Sequence, residues 1–435
     1  MIMQGIEMPR FRTVRGMRDF LPKHAGMMRY VEGLSRELAG LYGYEEVITP
    51  IVESYKLLAA KSGEEIKQRM YAFEDLGGRK VALRPEFTAS IARLVAGKMR
   101  NEPKPLRLFC LGRLYRYDEP QYGRFREFWQ ANYELIGSDK PEADAEILTL
   151  TNNLVERLGL RNYHFRIGHV GILRGILSQE NVAEESQNRI MQLLDKKQWD
   201  AALIAAKDCN VSERCIGILK RLFKAKGKEP SRVLKRVKEE VREYRSAVAA
   251  VENLWDILGL VRDGGVKFEM VIEAGFARGL EYYTGLVFEP YVPELDIALG
   301  GGGRYDRLIE LFGGEPTAAV GVAQGIDRLI LAMKKQGISP RIMEGKRVVI
   351  IPISDELKAK AIELSSMLRE AKIPAEVEVM GRSVSRALED ADRKGATHTV
   401  LVGPEELRED KVVLRDMKKR EQRVVEIKNL CEEIE

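Results

Sequence analysis

The chain is poor in the residues from which metal centres, disulfide frameworks and covalent catalysts are built. Its 435 residues include four cysteines and four histidines. Cys110, Cys209, Cys215 and Cys431 form no C-x-x-C pair, and His24, His164, His169 and His398 form no H-E-x-x-H. Neither a structural zinc nor a disulfide framework is therefore expected. No Ser-His or Cys-His arrangement stands out, so no protein nucleophile is expected either. Apolar runs fall short of the ~20 residues that a membrane span takes, and the first residues, with Glu7 and Pro9 and no apolar core, do not read as a signal peptide. The expectation is a soluble, cytoplasmic protein with no membrane partner.

What is present is a large, charge-rich chain, 45% hydrophobic and 31% charged, able to bury cores in two or three domains. The net charge of +5 is small for this length, so where the charges sit matters more than their sum. Residues 27–41 predict an amphipathic helix, and 46–52 a strand whose Pro50 belongs at a sheet edge or an interface. A hairpin is expected over 71–75 and 80–84, a helix over 87–98, paired β-runs over 107–117 and 127–137, a helix over 143–158 and a strand over 163–167. Residues 171–258 turn helical, with a Lys/Arg-dense stretch from 220 to 245. Strand signals return at 267–274, 285–291 and 296–300, followed by a helix over 326–335. Beyond a basic linker at 341–346, strands and helices alternate, which predicts a small α/β domain with a largely parallel sheet. The fold class is α+β: a mostly antiparallel sheet flanked by helices, with a helical insertion and this C-terminal α/β domain.

Chemistry concentrates in a few segments. Ala277-Arg278-Gly279-Leu280-Glu281-Tyr282-Tyr283-Thr284-Gly285 precedes Gly300-Gly301-Gly302-Gly303-Arg304-Tyr305-Asp306. Glycine permits close backbone approach to a ligand, arginine offers a charged fork for phosphate or carboxylate, and a tyrosine hydroxyl can donate to or accept from a ring nitrogen. The set suits a small polar ring held beside a phosphate. In the run 127–137, alternation puts Gln130, Asn132 and Glu134 on one face and Trp129, Ala131, Tyr133 and Leu135 on the other. Arg116 ends the facing strand, and the loop Asp118-Glu119-Pro120-Gln121-Tyr122-Gly123-Arg124-Phe125-Arg126 is too long and charged for a minimal turn. Glu86 and Thr88 lie at a strand-to-helix junction. There Glu86 reads either as a helix N-terminal carboxylate or as an anchor for an ammonium group, and Thr88 as a cap or a second anchor.

The first two segments resemble the paired signature motifs of histidyl-tRNA synthetases. The 107–137 hairpin resembles motif 2 of class II aminoacyl-tRNA synthetases, 44–52 resembles the dimer-forming motif 1, and Ala318-Ala319-Val320-Gly321-Val322-Ala323-Gln324-Gly325-Ile326-Asp327-Arg328-Leu329 resembles motif 3. Phe87 stands where the family usually has Gly or another residue. The resemblance implies a homodimeric ligase that joins L-histidine to ATP, with Mg²⁺ on the β- and γ-phosphates, and passes the histidyl group to the 3′ end of tRNA(His). It assigns Glu86, Thr88 and Gln130 to the histidine amino group. Glu134 and Tyr283 would read the imidazole, with Tyr282 and Tyr305 closing the pocket. Arg116 and Arg278 would be catalytic at the α-phosphate and carboxylate, Arg116 and Arg328 would bind ATP, and no side-chain metal site is implied. By the same resemblance residues 1–170 and 258–335 form the catalytic domain, 171–257 the insertion and 345–435 an anticodon-binding domain.

On the nucleic-acid side, Gln121 and Arg124 are candidates for the end of the acceptor stem. The Lys/Arg-dense insertion reads either as a phosphate-contacting surface or as a solvated face with i,i+4 ion pairs. Two further functions remain open at this point: a synthetase for another amino acid, which would lack the Arg278–Tyr283 signature, and a regulatory paralogue that has lost aminoacylation.

Overall fold

A computed structural model describes residues 11–60, 64–278, 282–340 and 346–434. The expectations about the first ten residues, Gly279–Glu281 of the signature segment, and most of the basic linker lie outside them. The chain divides into two compact units, Met1–Pro340 and Arg341–Glu435.

The first unit is built on a ten-stranded sheet. At its centre Leu106–Tyr115, Glu127–Ile136, Ala319–Gly325, Gly300–Arg304, Leu286–Val292 and His164–His169 lie side by side, each antiparallel to the next. One face is apolar. Trp129, Ala131, Tyr133, Leu135, Val320 and Val322 are buried there in the main core. The helices Pro22–Leu41, Pro141–Arg157 and Ile326–Lys335 cover this face with residues such as Val31, Leu38, Ile147, Leu154 and Leu329. Tyr133 finds a partner for its hydroxyl, donating to the Ser35 carbonyl at 3.0 Å, as a buried phenol must.

Several expectations need correction. The first helix starts at Pro22, well before residue 27, because proline is preorganised for the first helical position. The strand expected over 46–52 is instead two fragments, Glu45–Glu46 and Val52–Ser54, in different sheets. Pro50 lacks the N–H that a continuous ladder would use. Asp296, left-handed at φ 52°, closes the turn before Ile297–Ala298. Pairing with Leu286–Val292 slips by one residue at Leu299, so 296–300 is broken by a bulge between Ile297–Ala298 and Gly300–Arg304.

A three-stranded sheet of Val52–Ser54, Lys80–Leu83 and Ala72–Glu74 leads into the Arg84-Pro85-Glu86 turn. Phe87 is fully buried with Ile91, Leu108 and Leu114, and Arg84 lies over its ring at 4.3 Å. The bulky residue at this position thus fills core behind the turn.

In the second unit Val348–Pro352 pairs in parallel with Ala375–Val377 and His398–Val402. The hairpin Lys411–Asp416 and Glu421–Glu426 extends the sheet in antiparallel fashion. The sheet is therefore mixed, not largely parallel. The hairpin's charges, at Lys411, Arg415, Asp416, Glu421, Arg423 and Glu426, follow no alternation and hide its strand pattern.

Candidate active site

The polar face of the central sheet is the floor of a cleft of about 1400 Å³. Strand register explains why space is left there. Glu134 lies opposite Gly321, Asn132 opposite Ala323 and Gln130 opposite Gly325. On the next strand Gly303 pairs with Gly321 and Gly301 with Ala323. Residues directly opposite share a face, so three polar side chains project over lanes of glycine and alanine. A Cβ on Gly321 would lie 1.7 Å from Glu134 Oε2, and one on Gly301 would lie 1.6 Å from Arg278 Nη1. Only glycine fits at either position with these side chains as they stand.

Glu134 is buried and receives three donors. The Thr88 hydroxyl reaches Oε1 at 2.8 Å, Asn132 Nδ2 reaches Oε1 at 3.3 Å, and the Tyr305 hydroxyl donates to Oε2. Burial nevertheless pushes its carboxyl up to about 7. Glu86 is also buried, and burial raises its carboxyl as well. Its Oε1 accepts from the Ala89 N–H at 2.9 Å, while Oε2 has no hydrogen-bond partner among the described residues. Glu86 thus satisfies the helix N-terminus with one oxygen and keeps the other unused, and Thr88 serves Glu134 rather than capping. Gln130 Oε1 and Asn132 Oδ1 are likewise buried without hydrogen-bond partners. A set of unpartnered acceptors around one hollow costs stability and marks where a donor-rich ligand would sit. Tyr282 stands 5.0 Å from Tyr283 and 5.7 Å from Tyr305, ring to ring.

Guanidinium groups line the rest of the cleft. Arg116 donates to the Pro85 carbonyl at 2.9 Å and lies over Phe128. Arg328 is held by the Ala298 carbonyl at 2.9 Å. Burial first, then the neighbouring charges of Arg124, Arg116 and Arg278, lowers the Arg328 guanidinium to about 10. So many cations brought together at one cleft call for an anion. Arg278 donates to Glu289 Oε1 at 2.8 Å. Burial alone would lower its pKa, but the Glu289 carboxylate outweighs that, and the net direction is up. Glu289 also meets Arg166 at 3.3 Å, which is bidentate with Glu273.

The cleft therefore gathers Glu86, Thr88, Arg116, Arg124, Gln130, Glu134, Arg278, Tyr282, Tyr283, Tyr305 and Arg328. Gln121 is outside this lining, exposed in the loop beyond residue 117. Sequence reasoning passed over Asn132 as a site residue, although alternation had already put it in the polar row. It also missed Glu289, whose partner is eleven positions away and whose role needs the fold. Arg304, in the glycine-rich segment, serves the scaffold: it is buried and bonds Asp144 on helix Pro141–Arg157.

A family profile described as "Histidyl-tRNA synthetase" matches residues 16–329, and one described as "Anticodon binding domain" matches residues 347–435. Over 422 residues the chain is 41% identical to the histidine–tRNA ligase of Methanocaldococcus jannaschii, covering 97% of this chain and 98% of that one. Among solved structures, the apo histidyl-tRNA synthetase of S. aureus is similar with a TM-score of 0.70 at 27% identity, over 98% of this chain and 100% of that one. A Bacillus halodurans protein described as an ATP phosphoribosyltransferase regulatory subunit/histidyl-tRNA synthetase has a TM-score of 0.76 at 26% identity, over 90% of this chain and 98% of that one.

Proposed function

The chain belongs to the histidyl-tRNA synthetase family and is a class II histidine–tRNA ligase, and from that premise we propose how the cleft activates its substrates. The amino group of L-histidine is taken by Glu86, Thr88 and Gln130. Glu134 and Tyr283 address the two imidazole nitrogens, one a donor and one an acceptor, with Tyr282 and Tyr305 closing round the ring. Asn132 joins this set through its unpartnered oxygen. An amino acid with an apolar side chain would leave these groups buried and unpaired, a strong basis for discrimination.

Arg116 and Arg278 act at the α-phosphate of ATP and the histidine carboxylate, and Arg116 and Arg328 hold the nucleotide. A carboxylate oxygen attacks the α-phosphorus while the bond to the bridging oxygen breaks and pyrophosphate leaves. The step takes positioning and charge neutralisation rather than a protein nucleophile. The acyl group then passes to a hydroxyl at the 3′ end of tRNA(His), with AMP as the leaving group. Mg²⁺ enters this reading on the β- and γ-phosphates and supplies further charge neutralisation when bound. Such a cation commonly takes one or two carboxylates plus phosphate oxygens and keeps its waters. The cleft lining offers carboxylates for that role, Asp118 and Glu289 among them.

The observation that carries this reading is the pairing of a buried, triply hydrogen-bonded Glu134 with a ring of guanidiniums in one cleft. Arg278→Ala tests it. The variant should stay folded while histidine-dependent ATP–pyrophosphate exchange falls about 100-fold or more, the usual effect of removing one preorganised charge-stabilising donor. Near-normal exchange would contradict the assignment.

Residues 1–170 and 258–335 serve in this account as the catalytic domain, 171–257 as the insertion and 345–435 as the anticodon-binding domain. Arg124, and Gln121 on the exposed loop, remain the candidates for the acceptor-stem end. Cytoplasmic location is part of the proposal; among the described residues no helix is long and apolar enough to cross a membrane.

A further inference from the structure

The basic side chains of the insertion and its flanks are not all alike. Arg221, Lys228 and Lys238 are ion-paired with Glu240, Glu269 and Glu252, which makes that part of the run a solvated, self-neutralised surface. Lys197, Lys224 and Lys226 differ. They are exposed, carry no ion pair among the described residues, and line the same cleft as Glu134 and Arg278.

Trp199 stands among them at the first position of helix Trp199–Asp208. It is 44% exposed and lines the cleft too. Other cleft aromatics, Tyr283 and Tyr305, are buried, whereas this indole belongs to no buried cluster among the described residues. Lys197, with φ at 57°, turns the chain just before that helix, so the charge and the ring sit on one short corner. A large ring left open to solvent between unpaired cations is the combination that binds single-stranded nucleic acid: bases stack on the ring and the backbone follows the charge. A base within a duplex has no free face to offer. The deeper anion site is already supplied by Arg116, Arg278 and Arg328, and the lip lies on the insertion side.

We propose that Trp199, with Lys197, Lys224 and Lys226, forms a stacking lip that holds the unpaired 3′ end of the tRNA at the entrance of the cleft. This rests on the ligase reading and adds to it the residues that receive the strand. Substitutions here should separate amino-acid activation from transfer.

The experiment uses the full-length protein and measures two rates: histidine-dependent ATP–pyrophosphate exchange without tRNA, and charging of a tRNA(His) transcript at several salt concentrations. For Trp199→Ala, exchange should stay within about twofold while the KM for tRNA rises at least about fivefold, the loss expected when one base forfeits its aromatic partner. Trp199→Phe should recover most of it. Replacing Lys197, Lys224 and Lys226 together by alanine should flatten the salt dependence of the tRNA KM. Unchanged charging by Trp199→Ala would overturn the lip alone. A parallel fall of exchange and charging would overturn it as well, by making the indole a support of the histidine pocket. No histidine-dependent exchange by the unaltered protein would remove the ligase reading and the lip with it.

Discussion

Glu134 is the residue on which the site turns, because its environment pulls it in two directions. Burial pushes its carboxyl up to about 7, while the hydroxyls of Tyr305 and Thr88 and the amide of Asn132 favour the charged form. The folded-state value lies above the ordinary carboxylate value of about 4.3, so the folded protein holds this proton more tightly than the unfolded chain does. Its contribution to stability is complete below the ordinary value and is lost as pH rises through about 7, on the order of 3–4 kcal/mol in all. Glu134→Gln removes that dependence. Denaturant midpoints at pH 5 and pH 8 should show the variant gaining on the unaltered protein at the higher pH, and a gap that does not change with pH would contradict the assignment. At this scale the sequence was informative wherever a strand made neighbours predictable: alternation put Gln130, Asn132 and Glu134 in one row. It was silent about Glu289, whose pairing with Arg278 and with Arg166 exists only once separate segments are brought together.

Among elements, the strands Gly300–Arg304 and Ala319–Gly325 shape the site by what they omit. Their glycines at 301, 303 and 321 leave the room that Arg278, Tyr283 and Glu134 occupy. Gly301→Ala should therefore displace the Arg278 guanidinium. The three nearest atoms to the new Cβ all belong to that side chain, so the main effect falls on activation rather than on the fold. Exchange should drop by about 100-fold with circular dichroism unchanged, whereas normal exchange would show that the arginine can act from elsewhere. The glycine run was visible in the sequence, but which glycine faces which side chain depends on register between strands far apart in the chain. The C-terminal hairpin Lys411–Asp416 and Glu421–Glu426 was missed for a related reason. Its alternating pattern is interrupted by charges on an edge strand, where one face meets water.

For the whole molecule, the order of the segments along the chain carried most of the information, and their assembly carried the rest. The segment around Pro50 lies at the edge of the large sheet and leaves Ile48 89% exposed, with Ile51 and Val52 also open to solvent. An apolar patch on a sheet edge suits a subunit interface, and on it we propose the homodimer that the motif 1 resemblance implies. Ile48→Glu should shift sedimentation at micromolar concentration toward monomer, and a monomeric unaltered protein would contradict the proposal. The central claim is that this cleft selects histidine and joins it to ATP. ATP–pyrophosphate exchange, measured with each of the twenty amino acids in turn, tests that claim most directly. The account predicts exchange with histidine and background rates with the others; exchange driven by another amino acid, or none with histidine, would contradict it.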